Sequence, residues 1–298
     1  MNNKVAIFID FDGTLYDNHT RTIPESTIET LKKYHEKYDL FLSTGRTKFI
    51  LGPLSKYLSL FKGMVLMNGG YVVYDGEILR SDEFEKEDVT SLIKGCIEED
   101  IILALTTPDA CYINLTSDLT NRVLDGSDEG AIHDVNGYNY DLSLPFGMAW
   151  LLGEKENVVR MANKTPGIDV VPWGHYGGDA LIKNHSKADG IKTVLEHLKY
   201  KPENTFAIGN GDNDLEMFSV VKYSIAMGNS TEKALKQATY ITDDISKDGF
   251  MKAFDYIDKV VKENCWLFIS SFFIFREYNR FRIFRNEKWF FFINTIRE

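Results

Sequence analysis

Cysteine is scarce in this sequence, and basic charge is in the minority. Only three cysteines occur in 298 residues, Cys96, Cys111 and Cys265. Their odd number, with no CxxC or Cys/His ligand spacing, argues against a disulfide framework and a structural zinc site; they read as reduced thiols in a cytoplasmic protein. Lys and Arg total 34 against 44 Asp and Glu, a formal charge of -10. That balance excludes nucleic acid as the main partner, because phosphate backbones select basic surfaces. A small phosphate ester stays open, since a metal ion and a few local cations can reverse the field within a pocket. No apolar run approaches the length of a membrane-spanning helix, so no membrane role is expected for the body of the chain. The N-terminal stretch MNNKVAIFID meets acid at Asp10, too early for a signal peptide. What is present, 44% hydrophobic and 26% charged residues, describes a globular protein long enough for one large or two ordinary domains.

The order of elements predicts a parallel α/β domain. Val5 to Ile9 is a continuous apolar run suited to a strand buried on both faces. PESTIETLKKYHEKY follows as a helix opened by Pro24, with Ile28, Leu31, Tyr34 and Tyr38 on one side. DLFLSTGR then gives a second strand. GMVLMNGGYVVYDGEIL adds a third strand and a hairpin that turns at Asp75-Gly76. From about Asp82 the character changes. EDVTSLIKGCIEED is an amphipathic helix with Val89, Leu92, Ile93, Cys96 and Ile97 on its apolar face. The strand-like pieces IILALT, CYINLT and MAWLLG follow it, separated by polar stretches. Residues 83–184 therefore read as an inserted α+β domain, dividing the α/β domain into 1–82 and 185–264. The second part opens with Ser186 as the N-cap of SKADGIKTVLEHL, whose buried stripe is Ile191, Val194, Leu195 and Leu198. TFAIGNGDNDLEMF then repeats the opening pattern of strand, acid-rich turn and helix, and YSIAMGNSTEKALKQATYITDD adds strand, helix and strand.

Residues 265–298 depart from this pattern, with twelve aromatics and six Lys or Arg against three Glu. An amphipathic membrane or partner segment, a docking extension and out-of-frame translation past a natural end near Asn264 are the three readings. The last is favoured, because no helical stripe is sustained and neither apolar run could span a bilayer. No chemistry is assigned to this segment.

Four polar clusters stand where strands end or helices begin: Asp10 with Asp12, Ser43 with Thr44, Lys187, and Asn210 to Asp214. Ligands of an open parallel sheet bind beyond the carboxyl ends of its strands, so clusters on adjacent strands would share one crevice. Together they supply carboxylates, a hydroxyl, an ammonium and glycine-exposed amides, a set suited to phosphoryl transfer. Each is weak alone. DFDG is no EF-hand, because its glycine comes too early and a strand precedes it.

In that order the clusters resemble the haloacid dehalogenase (HAD) superfamily: DFDGT after the first strand, a strand ending TGR, a lysine opening a helix, and a late NDLEM turn. The similarity is to its Cof-type, subclass IIB phosphatases, extends over about residues 5–264, and includes NGGYVVYDGEIL and GNSTEKALKQATYITDDISKDGF. It implies an α/β fold, a Rossmann-like HAD core with a parallel sheet plus an inserted α+β cap domain. It implies a Mg²⁺-dependent phosphatase acting on a small phosphorylated metabolite, such as a sugar phosphate, a nucleotide or a phosphorylated cofactor. By position, Asp10 would be the nucleophile that forms an aspartyl-phosphate, and Asp12 the acid and then the base. Thr44, Gly45, Lys187 and Asn213 would hold the phosphoryl group with Asp10. Mg²⁺ would sit on Asp10, the Asp12 carbonyl, Asn210 and Asp214.

The chain departs from the family in the late turn. The usual G-D-x-x-N-D is here Gly209-Asn210-Gly211-Asp212-Asn213-Asp214, so an amide stands where a metal-binding aspartate is usual, with Asp212 as an alternative donor. That substitution motivates a second reading, a non-catalytic ligand-binding or regulatory protein on the same scaffold. A phosphomutase of the superfamily is a third. Substrate choice is expected from the cap, where PWGHYGGD offers Trp173, His175 and Tyr176. The acidic surface decides nothing about oligomeric state.

Overall fold

The computed structural model describes residues 4–117, 120, 121, 124, 128–173 and 175–264. The chain divides into two units, 1–254 and 255–298. Among the described residues of the first, the strands and helices follow in order. They are β1 (Ala6–Ile9), α1 (Glu25–Tyr34), β2 (Asp39–Ser43), β3 (Gly63–Leu66), β4 (Tyr71–Tyr74), β5 (Glu77–Ser81) and α2 (Lys86–Glu98). Next come β6 (Ile102–Thr106), β7 (Cys111–Ile113), β8 (Ile132–Asp134), β9 (Met148–Glu154), α3 (Lys155–Ala162), β10 (Ile168–Pro172) and β11 (Tyr176–Ile182). The chain continues with α4 (Lys187–Leu198), β12 (Thr205–Gly209), α5 (Leu215–Ser219), β13 (Tyr223–Ala226), α6 (Glu232–Gln237) and β14 (Tyr240–Ile241), and α7 begins at 249. Of the second unit, residues 255–264 are helical. The aromatic-rich segment 265–298 lies outside the described residues.

Two sheets organise the first unit. One has the order β14-β13-β12-β1-β2-β3-β4-β5. It is parallel from β14 through β3 and antiparallel at β3-β4 and β4-β5. This is the α/β core with a parallel sheet that the strand–helix–strand rhythm predicts. Every residue of β1 is buried, as its unbroken apolar run requires. The hairpin turns at Asp75 and Gly76, both at positive φ (49° and 83°), the geometry a two-residue Asp-Gly turn takes.

The second sheet, β10-β11-β9-β6-β7-β8, is antiparallel except for the β7-β8 pair. With α2 and α3 it forms the inserted α+β cap. Its core gathers Leu92 and Cys96 of α2, Leu103 of β6, Leu151 of β9 and Met161 of α3. The apolar face of α2 is narrower than its sequence suggests. Val89, Leu92 and Cys96 are buried, whereas Ile97 is 56% exposed. Gly95 replaces it in the contact, because its missing side chain lets Met161 approach. Cys96 and Cys111 are free and buried. Burial pushes both thiols up to about 12, so they are inert packing groups. No helix among the described residues is long and apolar enough to cross a membrane.

Candidate active site

Strand order decides which polar clusters meet. β1 lies between β12 and β2, so the residues following these strands, Asp10, Asn210 and Thr44, stand side by side at the carboxyl edge. A crevice of about 600 Å³ opens there, and its lining includes Asp10, Asp12, Thr44, Gly45, Asn210 and Asn213. A larger cavity, about 810 Å³, lies toward the strands' starts, around Asp39 and Gly63, and contains none of the expected site residues. The carboxyl edge is where a parallel sheet exposes strand ends and loop amides to a ligand.

Lys187 enters from α4. Ser186 and Asp189 form a capping box, so the helix start is fixed and the Lys187 side chain is set at its first residue. Its Nζ donates to Asp10 Oδ1 at 2.6 Å and to Asp214 Oδ1 at 2.7 Å. All three side chains are almost wholly buried. One buried ammonium therefore bridges two buried carboxylates. Burial opposes the charge on Lys187, but Asp10 and Asp214 outweigh it and raise its pKa above the ordinary lysine value. Burial also raises the pKa of Asp10, helped by the charge of Asp214 and opposed by Lys187.

Asp214 thereby has a different place from the one its motif suggests. Its Oδ1 accepts from Lys187, and its Oδ2 accepts the backbone N–H groups of Asn210 and Gly211 at 2.8 and 2.9 Å. It has no exposed surface and braces the late turn from behind. Asp212 also stays out of the crevice, with its carboxylate held by Thr231 and Lys233 at 2.7 and 2.6 Å. Of the late turn, Asn210, Gly211 and Asn213 line the crevice.

Asn210 closes the space behind Asp10. With its amide oriented by the surrounding acceptors, it donates to the Asp12 carbonyl (2.6 Å), Thr14 Oγ1 (3.1 Å) and Asp10 Oδ2 (3.2 Å). The reverse orientation would set its oxygen against two other oxygens. Gly13, at φ 79°, gives this amide room, because a Cβ there would fall on the Asn210 side chain. Among the described residues, no three His, Cys, Asp or Glu side chains are grouped to hold a metal ion. By donor type the cluster does fit a hard cation: Asp10 Oδ2, the Asp12 carbonyl and, if the amide turns, the Asn210 oxygen are all oxygen ligands.

Asp12 is paired with Arg46, which grips both its oxygens at 2.9 and 2.8 Å. Arg46 also donates to the Ile50 carbonyl at 2.7 Å and lies over the Phe11 ring at 4.8 Å. Thr44 Oγ1 accepts the Arg46 N–H at 3.1 Å, and Gly45 lies against Asn68, which a Cβ would crowd. The guanidinium was within reach of sequence reasoning, since it ends the STGR stretch beside Thr44.

The cap adds Trp150 of β9, Trp173 between β10 and β11, and Asp179 of β11 to the same crevice. Asp179 and Trp150 are direct cross-strand partners. Burial pushes the Asp179 carboxyl up to about 7, with a hydrogen bond from Trp173 opposing and the charge of Asp12 adding. Of the three aromatic or imidazole residues in PWGHYGGD, Trp173 lines the crevice; His175 and Tyr176 are exposed and do not. Asp179 and Trp150 carry no sequence signal beyond lying in strands, because the β9-β11 pairing brings them here.

Comparison with known proteins agrees with this geometry. A family model described as haloacid dehalogenase-like hydrolase matches residues 7–254. The Bacillus subtilis (strain 168) protein named "Putative phosphatase YkrA" is 28% identical over 256 residues, covering 85% of this chain and 97% of that one. A phosphoglycolate phosphatase of Nitrosopumilus maritimus is 21% identical over 266 residues, 87% of this chain and 99% of its own. A solved HAD subclass IIB sugar phosphatase superposes with a TM-score of 0.77 at 25% identity, covering 86% of this chain and 99% of its own.

Proposed function

The chain belongs to the haloacid dehalogenase-like hydrolase family, and from that premise we propose a Mg²⁺-assisted phosphatase of small phosphorylated metabolites that works through Asp10. The observation that carries the reading is the placement of Asp10. One carboxylate oxygen is fixed by buried Lys187, and the group stands on the crevice at the end of the central strand.

In this reading the phosphoryl group lies between Asp10, Thr44, Gly45 and Asn213, with Lys187 neutralising charge behind it. The Asp10 carboxylate attacks phosphorus, the bond to the leaving oxygen breaks, and Asp12 supplies that oxygen's proton. Water, deprotonated by Asp12, then attacks the aspartyl-phosphate, releases phosphate and restores Asp10. To act as the acid Asp12 leaves Arg46 and carries a proton, which it regains from the attacking water at the end of each cycle; Arg46 holds its ionised form. Asp10 Oδ2, the Asp12 carbonyl and Asn210 would hold Mg²⁺. When bound, the ion supplies positive charge against the phosphoryl oxygens and favours the ionised form of Asp10.

Residues 83–184 serve as the cap and meet the leaving group. Trp150, Trp173 and Asp179 pair flat apolar rings with a hydrogen-bonding carboxylate, which suits a polyhydroxylated leaving group better than an anionic one. Sugar phosphates therefore head the substrate list, ahead of nucleotides and phosphorylated cofactors. The neighbour described as a sugar phosphatase supports the same order. The test is phosphate release from sugar phosphates, nucleotides and pyridoxal phosphate, with Mg²⁺ and with chelator. Metal-dependent release led by sugar phosphates is expected. An isomerised phosphosugar without free phosphate would identify a mutase instead.

A further inference from the structure

We propose that Asn210 holds the oxygen cluster of the site together with its own amide, so that the site is assembled without a cation and a divalent ion enters only by turning that amide aside. The inference rests on the reading of Asp10 and the Asp12 carbonyl as the ion's ligands, and it concerns how tightly this chain binds the ion.

Three oxygens surround one point. The Asp12 carbonyl, Thr14 Oγ1 and Asp10 Oδ2 lie 2.6, 3.1 and 3.2 Å from the Asn210 amide nitrogen. Two obligate acceptors, the Asp12 carbonyl and Asp10 Oδ2, meet there with the Thr14 hydroxyl in a half-buried corner, and the two acceptors require a donor or a cation between them. An amide meets that requirement without an ion. A carboxylate at the same position would place a charged oxygen against another carboxylate and a carbonyl, an arrangement that an intervening cation or a shared proton relieves.

The amide is held firmly in this role. The Asn210 N–H donates to Asp214 Oδ2 at 2.8 Å, and its carbonyl accepts from the Thr231 N–H at 2.9 Å. Its backbone is thus fixed on both sides. Gly13 packs against the amide, and the Gly13 carbonyl accepts from Asn229 Nδ2 at 2.8 Å. An ion must therefore displace a donor already in place and gains one anionic ligand fewer. Affinity for divalent ions follows ligand charge.

The experiment compares wild type with Asn210→Asp and Asn210→Ala, using melting temperature and calorimetric titration with Mg²⁺ alone, without substrate. Wild type should melt at nearly the same temperature in chelator and in millimolar Mg²⁺. Asn210→Asp should melt lower in chelator, recover with Mg²⁺, and bind Mg²⁺ at least about ten-fold more tightly. Asn210→Ala, which removes the donor without adding charge, should also acquire a Mg²⁺-dependent melt and decides the matter if the aspartate variant fails to fold. A wild type stabilised by Mg²⁺ as strongly as the variants, or variants indifferent to Mg²⁺, would overturn the proposal. Phosphate release by wild type at saturating Mg²⁺ tests the phosphatase reading separately, so the two can fail independently.

Discussion

Lys187 Nζ lies 2.6 Å from Asp10 Oδ1, although 177 residues separate the two in sequence. The whole cap is inserted between them, so this contact exists only when both parts of the core are folded together. It links the stability of the core to the readiness of the site. Replacing Lys187 with Met should leave Asp10 and Asp214 as neighbouring buried carboxylates without a counter-charge. Loss of one partner from a buried ionic cluster costs about 3–5 kcal/mol. The expected outcome is a markedly lower melting temperature together with loss of phosphate release. A Lys187→Met protein as stable as wild type would show that the cluster adds nothing to folding.

Gly13 offers a sharper probe of local geometry. Its φ of 79° is left-handed, and a Cβ there would fall on the Asn210 amide. Gly13→Ala adds roughly 1–2 kcal/mol of backbone strain and displaces the residue behind Asp10. Turnover should drop by roughly a hundred-fold, the scale of a misplacement near 1 Å. Melting and phosphate release measured on one preparation would separate the two effects.

Asp212 is the negative control. Its carboxylate is held by exposed Thr231 and Lys233 and does not reach the crevice. Asp212→Ala should leave phosphate release and its Mg²⁺ dependence unchanged. A strong loss of metal dependence would return Asp212 to the site.

Asp179 makes a pH-dependent prediction. Its carboxyl is raised from the ordinary 3.8 to about 7, chiefly by burial. The native state therefore holds a proton that the unfolded chain has already lost between those values. Stability contributed by that proton is full below about pH 4 and disappears as pH rises through 7. Asp179→Asn removes this loss. The variant should melt a few degrees higher than wild type at pH 8, with the difference vanishing toward pH 4. An equal difference at both ends would mean that packing, not ionisation, is being measured.

Much of the site was legible in the sequence because its residues follow strand ends and a helix start. Asp10 and Asp12 terminate an unbroken apolar strand, Thr44 terminates another, and Lys187 follows a Ser that caps a helix. Strand order was the missing premise: adjacency of β12, β1 and β2 brings three of these clusters to one edge. The late turn is less legible, because its Asn, Asp and Gly residues have no periodicity to say which way each points. Backbone N–H groups draw Asp214 inward, surface partners draw Asp212 outward, and Asn210 is left facing Asp10. Asp179 and Trp150 reach the site through antiparallel pairing between distant strands, which local pattern does not encode. Ile97 belongs to the apolar stripe of α2 by spacing but is exposed, since Gly95 and Met161 set where the helices touch.

The most direct test of the account is to trap the phosphorylated enzyme. Wild type and Asp10→Asn would be mixed with a radiolabelled sugar phosphate in Mg²⁺ and quenched in acid within one turnover. Label on wild-type protein that hydroxylamine releases, as an acyl phosphate requires, and none on Asp10→Asn is the expected result. Phosphate release with no labelled wild-type protein at any quench time, or equal turnover by Asp10→Asn, would contradict Asp10 as the nucleophile.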